Sequence, residues 1–127
     1  MAEATKTVLV VDRDQLIGDF LVFILEAEGY VVTPVRSLEE ARASLANSHF
    51  DLIITEAFDQ KRTFTFDPTF LQELRPLAGS TPIILLSTYA AYDTFDPGQY
   101  GLAAVVAKPF DLDILLQKVR KLLGGPE

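Results

Sequence analysis

Thr7-Val8-Leu9-Val10-Val11, running straight into Asp12-Arg13-Asp14, decides the fold of this chain. Four of the five residues before the polar trio are β-branched, and none is charged. A segment this short and apolar on both faces reads as a central strand of a parallel sheet, where layers on either side exclude water. The polar trio then marks where the strand leaves the sheet. Immediately after it, Leu16, Ile17, Phe20, Leu21, Ile24 and Leu25 recur at helical spacing, with Asp14 placed to cap the start and Gly29 to stop the chain in a left-handed turn.

The same alternation repeats downstream. A strand over 30–35 contains Pro34, which lacks an amide donor and is expected only at a sheet edge. Ser37-Leu38-Glu39-Glu40 has capping-box spacing and opens a helix through Ala46, and Asp51-Leu52-Ile53-Ile54-Thr55 is another buried strand. Asp67-Pro68 opens a third helix, predicted to stop before Pro76. Strands follow over 82–86 and 102–107, and a last helix runs from about Asp111 to the Gly124-Gly125-Pro126 stop. Between those strands Asp96-Pro97-Gly98 interrupts the fourth helical slot, so that slot is predicted to be shortened or partly unwound, a loop plus one turn over 97–100.

Strict βα alternation with buried strands predicts an α/β fold with helices on both faces of a five-stranded parallel sheet. With the second strand at an edge, the doubly wound flavodoxin-like order 2-1-3-4-5 fits best. Its site then lies beyond the carboxyl ends of the strands, at 12–14, 56–59, 87–89 and 108–110.

Composition bounds the function. At 127 residues the chain is expected to be one domain, 1–127, and 49% apolar against 23% charged residues excludes a disordered tail. Eleven basic against eighteen acidic side chains give a net charge of -7, which predicts no nucleic acid and no anionic membrane as partner. The absence of cysteine removes disulfides, thiolate metal sites and thiol nucleophiles. The apolar runs are too short to span a bilayer, and the first residues lack a secretory pattern, so a cytoplasmic home is expected. The lone His49 has no second histidine for a metal pair and reads as structural. No phosphate-binding glycine loop or nucleophile elbow is found, which gives no sign of an enzyme.

Val8-Leu9-Val10-Val11-Asp12, Asp51-Leu52-Ile53-Ile54-Thr55-Glu56, Pro82-Ile83-Ile84-Leu85-Leu86-Ser87 and Ala107-Lys108-Pro109-Phe110 together resemble the four strand-end motifs of the response-regulator receiver domain. The resemblance covers nearly the whole chain. It implies two acidic residues after the first strand and an aspartate after the third that hold Mg²⁺, the aspartate accepting a phosphoryl group from a histidine kinase. It further implies a hydroxyl at Ser87 and an amine at Lys108 for the phosphoryl oxygens, and a cis bond between Lys108 and Pro109 that aims the lysine.

The chain departs from that pattern where it matters. Glu56 stands at the phosphoacceptor position, one methylene too long for metal-guided in-line transfer. Arg13 replaces the second metal carboxylate, so Asp12 and Glu56 are balanced by Arg13 and Lys108 without a divalent ion. An ion pair within about 4 Å is expected between Arg13 and Asp12, Asp14 or Glu56. Asp14 is expected to cap the helix rather than bind metal, and Val105 stands where the family often has its aromatic switch. No metal or other cofactor is expected, and Mg²⁺ least of all.

The expected function is therefore signalling by phosphorylation-independent protein binding. The partner is a histidine kinase or a downstream signalling protein, and a homodimer stays open. The first alternative is a working receiver phosphorylated on a carboxylate such as Asp59, with Mg²⁺ held by Asp12 and Asp14. The second, a flavin-binding module, rests on the aromatic residues near the carboxyl edge. Among these aromatics, Phe64, Phe66, Tyr89, Tyr92 and Phe95 are the expected interaction surface, in a connection over 57–65 longer than usual and in the segment 89–101.

Overall fold

The computed structural model describes residues 5–56, 68–87, 97–107 and 111–124. Five strands, β1 (Thr7–Val11), β2 (Val31–Val35), β3 (Leu52–Thr55), β4 (Ile83–Ser87) and β5 (Ala104–Ala107), pair in parallel in the order β2-β1-β3-β4-β5. Among the described residues four α-helices accompany them, α1 (Gln15–Ala27), α2 (Leu38–Asn47), α3 (Pro68–Ala78) and α4 (Leu112–Leu123), together with one 3₁₀ turn, Pro97–Tyr100. This is the flavodoxin-like doubly wound arrangement. In the fourth helical slot the described part is that 3₁₀ turn, where the Pro97-Gly98 pair disfavours an α-helix.

Alternation along the strands divides the core. Val8, Val10, Leu52, Ile54, Ile84 and Leu86 point to one face, where they meet Leu21 and Leu25 of α1 and Leu115 and Val119 of α4. Leu9, Val11, Ile53, Ile83 and Leu85 point to the other, against Ala41 of α2 and Leu71 and Leu74 of α3. Because every second side chain changes face, one five-residue strand supplies both layers. Each fully buried leucine or isoleucine contributes about 2 kcal/mol of transfer free energy.

Local signals explain the ends of the elements. α1 closes in a Schellman motif: Gly29 has φ 97° and donates to the Glu26 carbonyl, and the Tyr30 amide donates to the Leu25 carbonyl. β2 is the edge strand, Pro34 lying opposite Val10 and Val31 half exposed. Ser37 caps α2 by accepting the Glu40 amide at 3.0 Å, while Glu40 Oε1 accepts the Arg36 amide at 2.8 Å.

One expectation is corrected. α3 does not stop before Pro76 but runs through it to Ala78. Leu74 and Ala78, on either side of the proline, are buried, and Pro76 itself is exposed, so burial of that face outweighs the lost amide bond. On α1, Leu16 and Phe20 share the helical spacing but not the core: they are 80% and 45% exposed.

Candidate functional site

β1 and β3 are neighbours, so the residues that follow them emerge side by side at the carboxyl edge of the sheet. The Asp12 amide donates to the Val35 carbonyl and the Glu56 amide to the Val11 carbonyl, both at 3.0 Å, which fixes the two acidic residues as continuations of the sheet. Both are 3% exposed. Thr55, equally buried, donates its hydroxyl to the Glu56 carbonyl at 2.7 Å and secures the exit from β3.

The connection from β1 to α1 is built on carboxylates. Asp12 Oδ1 accepts the Asp14 amide at 2.9 Å, a turn closed by a side chain two residues back. Asp14 Oδ1 in turn accepts the Leu16 amide at 3.0 Å and the Ile17 amide at 3.5 Å, capping α1 as expected. Between them the Arg13 amide donates to Glu56 Oε2 at 2.7 Å, and Arg13 Nε lies 3.9 Å from Glu56 Oε1.

The expected ion pair is therefore present, at the outer limit of the range and with the Arg13 side chain 31% exposed. The shorter contact is the one from the main chain. A short N–H to carboxylate bond is charge-assisted, and in this buried setting it holds Glu56 more firmly than a screened guanidinium does. The sequence reading of Glu56 did not include this amide. Its signal is the extra methylene, which lets a carboxylate on β3 reach across to the first loop.

Ser87 closes β4 in register with Ala107 of β5, which places its backbone at the same edge. Val105 pairs with Leu85 and packs, half buried, against the apolar cluster beneath α2 and α3. Lys108 and its bond to Pro109, Asp59, Phe64, Phe66, Tyr89, Tyr92 and Phe95 lie outside the described residues. His49 stands away from the site, at the opposite end of the sheet, exposed and 3.4 Å from Asp51. There the Thr7 amide, donating to Asp51 at 2.8 Å, holds the Asp51 carboxyl below its ordinary value. None of the helices described is long and apolar enough to cross a membrane.

The model of the response regulator receiver domain matches residues 8–120. Among solved structures, the chain is similar to the receiver domain of a Francisella response regulator, with 26% identity, a TM-score of 0.80 and coverage of 94% of this chain and 98% of that one. The response regulator TrrA of Thermotoga maritima, solved in complex with Mg²⁺-BeF, is 30% identical with a TM-score of 0.75, covering 93% of this chain and 99% of that one. A response regulator receiver protein of Pseudomonas putida gives 27% identity and a TM-score of 0.78 over 94% and 99% of the two chains. No curated protein matches the chain in sequence.

Proposed function

The chain belongs to the response regulator receiver domain family, and from that premise we propose that it is a degenerate receiver, one that signals by binding a protein without being phosphorylated and without Mg²⁺. Receivers of two-component systems work with kinases and other signalling proteins. A cytoplasmic histidine kinase or downstream signalling protein is accordingly the partner of this reading.

The observation that carries it is Glu56. At the acceptor position of the family this chain has a carboxylate that is buried and bonded at 2.7 Å to the amide of the neighbouring loop. That bond takes up Oε2, one of the two Glu56 oxygens, whereas Mg²⁺ demands several oxygens at about 2.1 Å in near-octahedral order. Arg13 brings a positive charge where the family has a carboxylate, and Asp14 directs Oδ1 to the helix amides. The donor set thus does not fit the ion. A fixed negative charge at Glu56 stands in instead for the charge that phosphorylation would bring.

A titration with MgCl₂ followed through the amide resonances of Asp12, Arg13 and Glu56 tests this. The proposal predicts no saturable shift up to millimolar Mg²⁺ in the wild type, and a saturable one once Arg13→Asp and Glu56→Asp restore the carboxylates. Saturable binding by the wild type contradicts it.

A further inference from the structure

Residues 98–105 hold no fully buried side chain. Tyr100, Leu102, Ala104 and Val105 are half buried, and Gly98, Gln99, Gly101 and Ala103 are exposed. By contrast, β3 is buried along its whole length and β1 along all but its first residue. β5 is also an edge strand, paired with β4 alone. Tyr100, Leu102 and Val105 cover one side of the apolar cluster that contains Leu71, Leu74 and Leu85. A stretch with few buried contacts at a sheet edge opens locally at a lower free energy than unfolding of the whole domain.

One side chain grips the start of this stretch. Arg75, in the last turn of α3, donates through Nη1 to the Gly101 carbonyl at 2.9 Å and through Nη2 to the Gly79 and Thr81 carbonyls, both at 2.6 Å. The three acceptors lie just past the 3₁₀ turn, just past α3 and at the approach to β4. A planar guanidinium suits this task, because its N–H groups point to separate acceptors in a fixed fork. Gly101 is fitted to the same contact. Its φ is 69°, and a Cβ there would stand 2.9 Å from Arg75 Cδ, so the chain lies directly on the arginine stem. Two residues on, the Ala103 amide donates to the Ile83 carbonyl at 2.8 Å and begins the pairing with β4.

We propose that Arg75 is the clasp of a separately opening segment, residues 98–105, which lifts off α3 and β4 while the rest of the sheet stays folded. Closed, the clasp fixes the entry into β5. Open, it bares the part of the Leu71, Leu74 and Leu85 cluster that Tyr100, Leu102 and Val105 cover. A protein that prefers either state shifts the population by its differential affinity for the two. The clasp lies at the amino edge of the sheet, the end opposite Asp12 and Glu56, so it does not depend on how those residues are read.

Amide hydrogen exchange under native conditions tests the clasp with Arg75→Met, which keeps the stem and removes the donors. The Gly101 and Ala103 amides, bonded to the Gly98 and Ile83 carbonyls, are expected to exchange about tenfold or more faster than in the wild type, the effect of losing charge-assisted bonds. The Asp12 and Glu56 amides, bonded to the Val35 and Val11 carbonyls at the opposite edge, are expected to keep their rates. Arg75→Lys, whose ammonium lacks the fork, is expected to fall between the two. Unchanged exchange at Ala103 overturns the proposal, because the segment is then held by something other than Arg75. Equal acceleration at all four amides overturns it as well, because Arg75 then stabilises the fold as a whole and clasps no separate unit. Should Arg75→Met fail to fold, Arg75→Lys carries the same comparison between the two pairs of amides.

Discussion

Glu56 and Tyr30 show how much a single atom decides in this fold. The extra methylene of Glu56 carries its carboxylate to the Arg13 amide, and so ties the end of β3 to the first loop. The strand-end residues Asp12 and Glu56 were legible in the sequence because strand ends fix where backbone emerges. The tie itself was not legible, because side-chain reach depends on the distance between two loops. Tyr30 presents the opposite case. It is 6% exposed, and among the described residues its hydroxyl has no hydrogen-bond partner. Burial and the nearby Glu28 both push its ionisation upward, so the group stays neutral and simply bears the cost of desolvation. Removing a buried unsatisfied hydroxyl while keeping the ring is neutral to stabilising. Tyr30→Phe is therefore expected to raise unfolding stability by about 1 kcal/mol in urea titration. A loss of that size instead reveals a partner for the hydroxyl.

Helices show what periodicity leaves undecided. In α1 it groups the apolar residues correctly yet does not say which of two apolar sectors meets the sheet; the strands do, by accepting Leu21 and Leu25. In α3 the proline rule predicts a stop that burial of Leu74 and Ala78 overrides. The fourth slot was readable because Pro97-Gly98 carries its own local preference against a helix, and Gly98 is exposed and Tyr100 half buried. The end of that turn is tied down by Arg75, whose guanidinium donates to the carbonyls of Gly101, Gly79 and Thr81. Gly18 supplies a test at this scale. It lies in the interior of α1, its φ is not positive, and among the described residues nothing stands within 4 Å of a methyl placed there. Glycine in a helix interior costs about 1 kcal/mol relative to alanine. Gly18→Ala is thus expected to raise the melting temperature by about 3–5 °C for a domain of this size. A fall means that the space has an occupant in the folded protein.

For the whole molecule, sheet order follows from two facts of sequence: five strands separated by helices, and a proline that sends the second strand to the edge. Right-handed crossovers then leave few arrangements, and the one observed brings Asp12, Glu56 and Ser87 to one edge. Which residues meet at that edge was legible, because strand ends fix where the backbone emerges; the altered chemistry of Arg13 and Glu56 belongs to the proposal. What the family's fold does not fix is whether transfer still occurs. The most direct measurement is the intact mass of the wild-type protein after incubation with a small phosphoryl donor and Mg²⁺, beside an Arg13→Asp, Glu56→Asp variant. Degeneracy predicts an unchanged wild-type mass; a gain of one phosphoryl group on the wild type contradicts it.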